Sequence, residues 1–315
     1  MAASSLSYFR KRRKYEKKMY GKSRVPKYLT RRRSYGRKRT YRKRPMRKKA
    51  ILNLTSRKKH NTMLSWSNTN SGSGASITSS ALPVTVNGTY GLRTSWIATA
   101  QDLTDQTGVL GRVAEQSVRT STICFMRGLS EHIRIQSNSA LPWFWRRICF
   151  TYKGLELQII SPSDTPTSTN YQFLDTTSGM QRLSFNQNIA NMPNTINNHD
   201  AIIFRGAKGL DWSDPIVAPL DTSRITVKFD KTWTLHSGNQ SGVVKAFKLW
   251  HPMNHNLVYA DDESGDAESG AYTSVASKAG MGDYYVMDFV SPGAGGGASD
   301  LLQIVPNTTL YWHEK

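Results

Sequence analysis

The first 60 residues carry 25 Lys and Arg against a single acid, Glu16, a net charge of +24. Such a stretch cannot build a core. Its few aliphatic side chains bury too little surface to offset the entropy of ordering the backbone, and its like charges repel. From Asn61 to Lys315 the balance is 18 basic to 21 acidic residues, a net of −3, so the chain's charge of +21 belongs to one segment. The sequence therefore divides into a basic arm, expected to be disordered until it meets a polyanion, and a near-neutral body. The body is rich in Val, Ile, Leu, Phe, Tyr and Trp, and a chain of its size buries about 70 to 75 % of its unfolded surface.

The arm's cations come in clusters: Arg10, Lys11, Arg12, Arg13 and Lys14; Arg31, Arg32 and Arg33; Arg37, Lys38 and Arg39; Arg42, Lys43 and Arg44; Arg47, Lys48 and Lys49; Arg57, Lys58 and Lys59. Tyr8, Tyr15, Tyr20, Tyr28, Tyr35 and Tyr41 punctuate them at spacings of five to eight residues, without helical or heptad period. Pro26, Pro45, Gly21 and Gly36 also oppose a continuous helix. Lys and Arg neutralise phosphates and release counterions, and tyrosine rings stack on unpaired bases. These clusters, with Tyr15, Tyr20, Tyr28, Tyr35 and Tyr41, are the candidate nucleic-acid-binding residues. A solvated charge run acting only as a targeting signal is the plainer reading, and the two are compatible. Arg10 to Lys14, Arg37 to Arg39 and Arg42 to Arg44 are the candidate nuclear-targeting clusters for import receptors.

From residue 61 to 85 the chain turns to Ser, Thr, Asn and Gly, which reads as a linker, with the folded body from residue 86 to 315. Within the body Ile225, Val227, Phe229, Trp233 and Leu235 alternate with Arg224, Thr226, Lys228, Asp230, Thr232, Thr234 and His236, the pattern of a half-buried strand. Further β-type runs are Val118–Met126, His132–Gln136, Phe144–Tyr152, Leu155–Ile160, Ala201–Phe204, Val243–Trp250, Tyr284–Val290 and Thr308–Trp312. Eight or nine strands without amphipathic helices between them predict an all-β antiparallel sandwich or barrel. The long loops Ser161–Asn170 and Asp261–Gly270 would gather at its ends, where partners are met.

Several strings together resemble the capsid proteins of genomoviruses, small circular single-stranded DNA viruses related to geminiviruses. They are Pro142-Trp-Phe-Trp-Arg-Arg-Ile-Cys-Phe150, Leu220-Asp-Thr-Ser-Arg-Ile-Thr-Val-Lys228, Trp250-His-Pro-Met-Asn-His255, Gly280-Met-Gly-Asp-Tyr-Tyr285 and Leu310-Tyr-Trp-His-Glu-Lys315. The resemblance spans most of the body and keeps the strings in order, whereas the arm is similar in composition only. It implies an eight-stranded jelly roll, a small icosahedral shell of about 60 copies, packaging of circular single-stranded DNA, and assembly in the host nucleus.

Other residues have quieter readings. Arg146 and Arg147 point to opposite faces of a strand, so at most one lines a DNA-facing surface, the alternative being that both are paired with acids or at subunit contacts. His251 and His255 have a metal-like spacing that Pro252 denies a helix, and a structural or interface role is expected. The acids Asp261, Asp262, Glu263, Asp266 and Glu268 lack an EF-hand pattern and read as a solvated loop rather than a cation site between subunits. Gly293 to Gly297 lacks the Lys-Ser/Thr of a P-loop, and Cys124 and Cys149 read as buried thiols. With no nucleophile elbow, catalytic cysteine motif or paired carboxylates, neither catalysis nor a cofactor or metal is expected. No signal-peptide core and no apolar run of about 18 residues occurs, so an intracellular, soluble chain without membrane insertion is expected. The competing functions are an RNA-virus capsid protein, which nuclease-protection sequencing would distinguish, and a monomeric nuclear nucleic-acid-binding module, which sedimentation would reveal.

Overall fold

The computed structural model describes residues 46–315. The arm clusters from Arg10 to Arg44 and the tyrosines from Tyr8 to Tyr41 lie outside the described residues. A helix α1 (Lys48–Thr55) leads into β1 (Arg57–Met63), β2 (Ser65–Thr69), β3 (Ser76–Ser80), β4 (Val84–Asn87) and β5 (Leu92–Ile97). Two long strands follow, β6 (Ile123–Ser137) and β7 (Trp143–Tyr152), then the short β8 (Asp175–Thr176), β9 (Gly179–Met180) and β10 (Arg182–Ser184), and helix α2 (Pro193–Ile203). The remainder is β11 (Thr226–Leu235), β12 (Val244–Val258), β13 (Asp262–Ser264), β14 (Ala267–Ser269), β15 (Asp283–Pro292) and β16 (Leu301–Glu314).

These strands make an all-β sandwich of two antiparallel sheets. The first has the order β1-β16-β6-β12, with β4 pairing the other end of β16, and the second the order β11-β7-β15-β5. The long strands cross from one sheet to the other at each step from β5 to β16, except from β7 to β11, an order compatible with a jelly roll. The sheets meet through aromatic rings, with Trp145 of β7 edge-on to Phe247 of β12 at 5.2 Å between centroids. They also meet through a buried ion network. Arg147 grips Asp288 with two bonds of 2.7 Å and also binds Glu131 of the opposite sheet, while Arg182 donates to Glu131 at 3.1 Å and Asp288 at 3.3 Å. Two cations against two anions leave no unpaired charge, the condition for burying ions at all.

The two sheets differ in how many faces they hide. Strands β5, β7 and β15 are buried at nearly every position, because the connection from β7 to β11 packs over their outer face. From it, Pro215 and Ala218 accept hydrogen bonds from Arg146 through their carbonyls, and Phe204 packs on Phe289 with centroids 5.8 Å apart. Strands β6 and β16 instead alternate buried with less buried residues, so one face of the first sheet stays open.

Four sequence expectations change. Residues 61 to 85 are not a linker, and the body starts at Arg57: β1 is the edge strand beside β16, β2 pairs with both β3 and β10, and β4 with β16. The polar side chains there serve the fold. Asn68 donates to the Asn186 carbonyl at 3.2 Å and accepts from its N–H at 2.7 Å, Ser67 donates to the Pro83 carbonyl, and Thr69 Oγ1 accepts from the Thr85 N–H. Ala201–Phe204 ends helix α2 rather than forming a strand. Pro193 sits in the first turn of that helix, and Asp164, from a distant loop, accepts the Asn194 and Thr195 N–H groups at 3.1 and 2.6 Å. Leu155–Ile160 is a turn, and Val118–Met126 and His132–Gln136 contribute to the single strand β6. The two cysteines are free and buried. No described helix is long and apolar enough to cross a membrane.

Candidate nucleic-acid interface

The pleat decides which side chains reach the open face. Along β6, Leu129, Glu131, Ile133 and Ile135 point into the sandwich, so Ser130, His132, Arg134 and Gln136 point out; the alternation shifts at Gly128, where both neighbouring strands break register, and before it Cys124 and Met126 point in and Arg127 points out. On β12 the outward set includes Ala246, Lys248 and Trp250, on β16 Val305, Asn307, Thr309, Tyr311 and His313, and on β1 Lys58, His60 and Thr62. Register sets them in rows: Asn307, His132 and Lys248 in one, Val305, Arg134 and Ala246 in the next, and Thr309, Ser130 and Trp250 in a third. The four strands contain two acids, Glu131 and Glu314, and both are buried. The face thus presents Lys58, Arg127, Arg134 and Lys248 with three histidines and no carboxylate from its own strands.

At one end of this face, Lys58, Arg127, Trp250, Tyr311 and His313 surround a pocket of ≈ 180 Å³ floored by Lys59 and Trp312. Trp250 is 50 % exposed and Tyr311 38 %, with centroids 5.9 Å apart, and His60 stacks on Tyr311 at 6.0 Å. Gly128 makes room for the indole: a Cβ there would lie 2.7 Å from Trp250 Cζ2 and 2.6 Å from the His251 carbonyl oxygen. Both neighbours of β6 break register here, β16 between Tyr311 and Trp312 and β12 between Pro252 and His255. Bulges re-aim side chains and are favoured beside functional sites. Within the second, Asn254 has φ 53° and accepts a hydrogen bond from Arg127, a local strain of the kind found at binding sites. Partial burial, then the charges of Arg127 and Lys58, hold the His313 pKa below the ordinary histidine value.

Of the sequence candidates within the described residues, Arg47 and Lys48 lie exposed at the start of α1, Lys49 lies in the same helix, and Arg57 and Lys58 are exposed on β1. Lys59 is the correction. It is 3 % exposed, 3.2 Å from Glu314 Oε2, and donates to the Val118 carbonyl at 2.7 Å and Thr120 Oγ1 at 3.0 Å, so it holds the fold and is not free for phosphate. Arg146 and Arg147 do point to opposite faces, and both are buried against acids: Arg146 on Asp230 at 2.8 and 2.9 Å, Arg147 on Asp288 and Glu131. His251 is buried edge-on to Phe229, its pKa brought down to about 4 first by burial and then by Arg147, while His255 is exposed beyond the bulge. Asp261 is tied to Arg119 at 2.5 and 2.8 Å, and the other acids of its loop sit on or beside the exposed β13–β14 hairpin, so the segment is neither one loop nor uniformly solvated.

The open-face residues Arg127, His132, Arg134, Lys248, Trp250 and Tyr311 escaped sequence reasoning. Alternation of His132, Arg134 and Gln136 with Ile133 and Ile135 was a usable signal for one strand, but the pairing that gathers four strands into one acid-free surface is not written locally. No protein-family model matches the chain, and no curated protein matches it.

Proposed function

We propose that the protein is a structural shell subunit that packages single-stranded DNA, using its basic arm together with the open face of the first sheet. One observation carries the reading: the open face of the first sheet is basic, aromatic and free of acids from its own strands, and its edge strand β1 begins with the last cationic cluster, Arg57 to Lys59. A polyanion is the partner that such a surface complements. The jelly-roll-compatible strand order supports a shell, since double-sheet jelly rolls are a common capsid architecture. The resemblance of the Pro142–Phe150 and Trp250–His255 strings to genomovirus capsid proteins supplies the circular DNA and the nucleus. Ahead of β1 the arm carries 22 Lys and Arg and one acid, a net of +21, so about 60 arms would bring on the order of 1,300 positive charges, enough for a genome of a thousand or more nucleotides. The arm's clusters Arg10 to Lys14 and Arg37 to Arg44 would also direct nuclear import.

Electron microscopy of the purified full chain, with sequencing of nuclease-protected nucleic acid, tests the proposal. Shells containing protected single-stranded DNA are the expected result. A species that sediments as a 35.4 kDa monomer contradicts a shell, and protected RNA contradicts the DNA reading.

A further inference from the structure

We infer that the pocket at the β1 end of the open face is a subsite for one unpaired nucleotide. The base would stack on the Trp250 indole beside Tyr311, and the phosphate would meet Arg127 and Lys58. The inference rests on the proposed function and adds to it a built contact on the body, distinct from the arm.

Three observations converge. A half-exposed indole on a strand surface leaves apolar area in water, and here a glycine and two bulges are spent on seating it there, since any side chain at position 128 would collide with the ring. The cations beside it are positioned yet unsaturated: Arg127 donates one Nη group to Asn254 Oδ1, and Lys58 donates to the Asn53 carbonyl at 3.2 Å. Among the described residues neither is paired with a carboxylate, so both retain N–H groups for phosphate oxygens. Finally, every strand beneath the pocket lacks an outward acid, which favours a polyanion over a protein surface. A duplex hides its base faces in its own stack, so a flat aromatic platform selects unpaired strands, and it tolerates any base because each has a π face.

The test uses the full chain and a short thymidine oligonucleotide carrying a photoreactive iodo-deoxyuridine, irradiated at high salt, where phosphate contacts weaken and stacking persists. Mass spectrometry should place adducts on Trp250 or Tyr311. Trp250→Ala should weaken high-salt binding of the single strand about 5- to 100-fold, with Trp250→Phe restoring most of it and duplex binding unchanged. The residue is half exposed, so thermal melts of both variants should match the parent. Adducts confined to the arm tyrosines, with unaltered affinity in Trp250→Ala, would overturn the subsite and leave packaging by the arm intact. Absence of any binding at low salt would instead remove the functional reading on which the subsite rests.

Discussion

Lys59 Nζ lies 3.2 Å from Glu314 Oε2, and through this buried pair β1 is locked to the end of β16. Burial alone would raise the Glu314 pKa, but hydrogen bonds from Thr120 and Trp312 and the Lys59 charge bring it below the ordinary glutamate value. Removing one partner leaves the other charged in an apolar setting. Lys59→Ala should therefore cost about 3–5 kcal/mol in urea unfolding. The adjacent Lys58→Ala, on the open face, should change stability by no more than about 0.5 kcal/mol while weakening DNA binding. Equal stability of the two variants would mean that the pair does not form.

The same strand places the domain boundary. A chain beginning at Arg47 retains β1 to β4 and should show β-type circular dichroism with one cooperative melt. A chain beginning at Leu82 loses β1, β2 and β3, bares the edge of β16 over Thr308 to Glu314, and leaves Glu314 unpaired. It should aggregate or melt at markedly lower temperature. If it melts like the longer chain, the first three strands are dispensable.

Sandwich architecture was legible because period-two alternation is a local signal: Thr226–Leu235 and Trp143–Tyr152 read as strands within two residues of their observed bounds. The helical end at Ala201–Phe204 was not, since Ile202 and Ile203 favour strands by propensity and the capping carboxylate comes from Asp164, some 30 residues away. Composition misled at Ser65–Ser80, where side chains that solvate a linker instead bond buried backbone. Lys59 and Lys58 look alike in sequence, and only pairing of β1 with β16 sends one inward and the other out. The candidate pocket depended wholly on such pairing.

Trp145 and Trp233 stack at 4.2 Å, yet only Trp145 is fully buried, and its Nε1–H donates to Asp288 at 2.8 Å. Trp145→Ala should cost about 3–5 kcal/mol, because it opens a cavity and strips a donor from the ion network. Phe229 and Trp233 lie half-buried on the edge strand β11, so their alanine variants should cost less. Denaturant titration ranks them; a larger loss at Trp233 than at Trp145 would contradict the packing.

Asp283 predicts a pH dependence. Burial pushes its carboxyl up to about 7, opposed only partly by the Ser274 N–H at 2.9 Å, and among the described residues no cation pairs with it. In the unfolded chain the group ionises near 4. Between those values the folded protein holds a proton that the unfolded chain has released, so this group makes stability fall as pH rises from about 4 to about 7. Asp283→Asn keeps an acceptor for the Ser274 N–H and cannot ionise. Its melting temperature relative to the parent should be higher at pH 8 than at pH 5, by an amount worth about 3 kcal/mol. A difference that does not change with pH would show a normally titrating carboxyl.

Salt dependence separates the open face from the arm. Each phosphate contacted on a single strand contributes about −0.7 to the slope of log affinity against log salt. Arg127, Arg134 and Lys248 lie on the outward side of β6 and β12, and replacing them with Gln leaves the ion network inside the sandwich untouched. If each meets one phosphate, the triple variant should lower the magnitude of the slope by about 2. Neutralising the arm clusters should reduce it further and independently, since the two sets of contacts are separate and counterion release is counted per phosphate. The Trp250→Ala variant should lower affinity at every salt concentration with the slope nearly unchanged, because stacking releases few counterions. Titrations of the full chain with oligothymidine across a range of salt read all three effects. A triple variant with the parent's slope would show that the DNA runs elsewhere and that the open sheet face is not a binding surface.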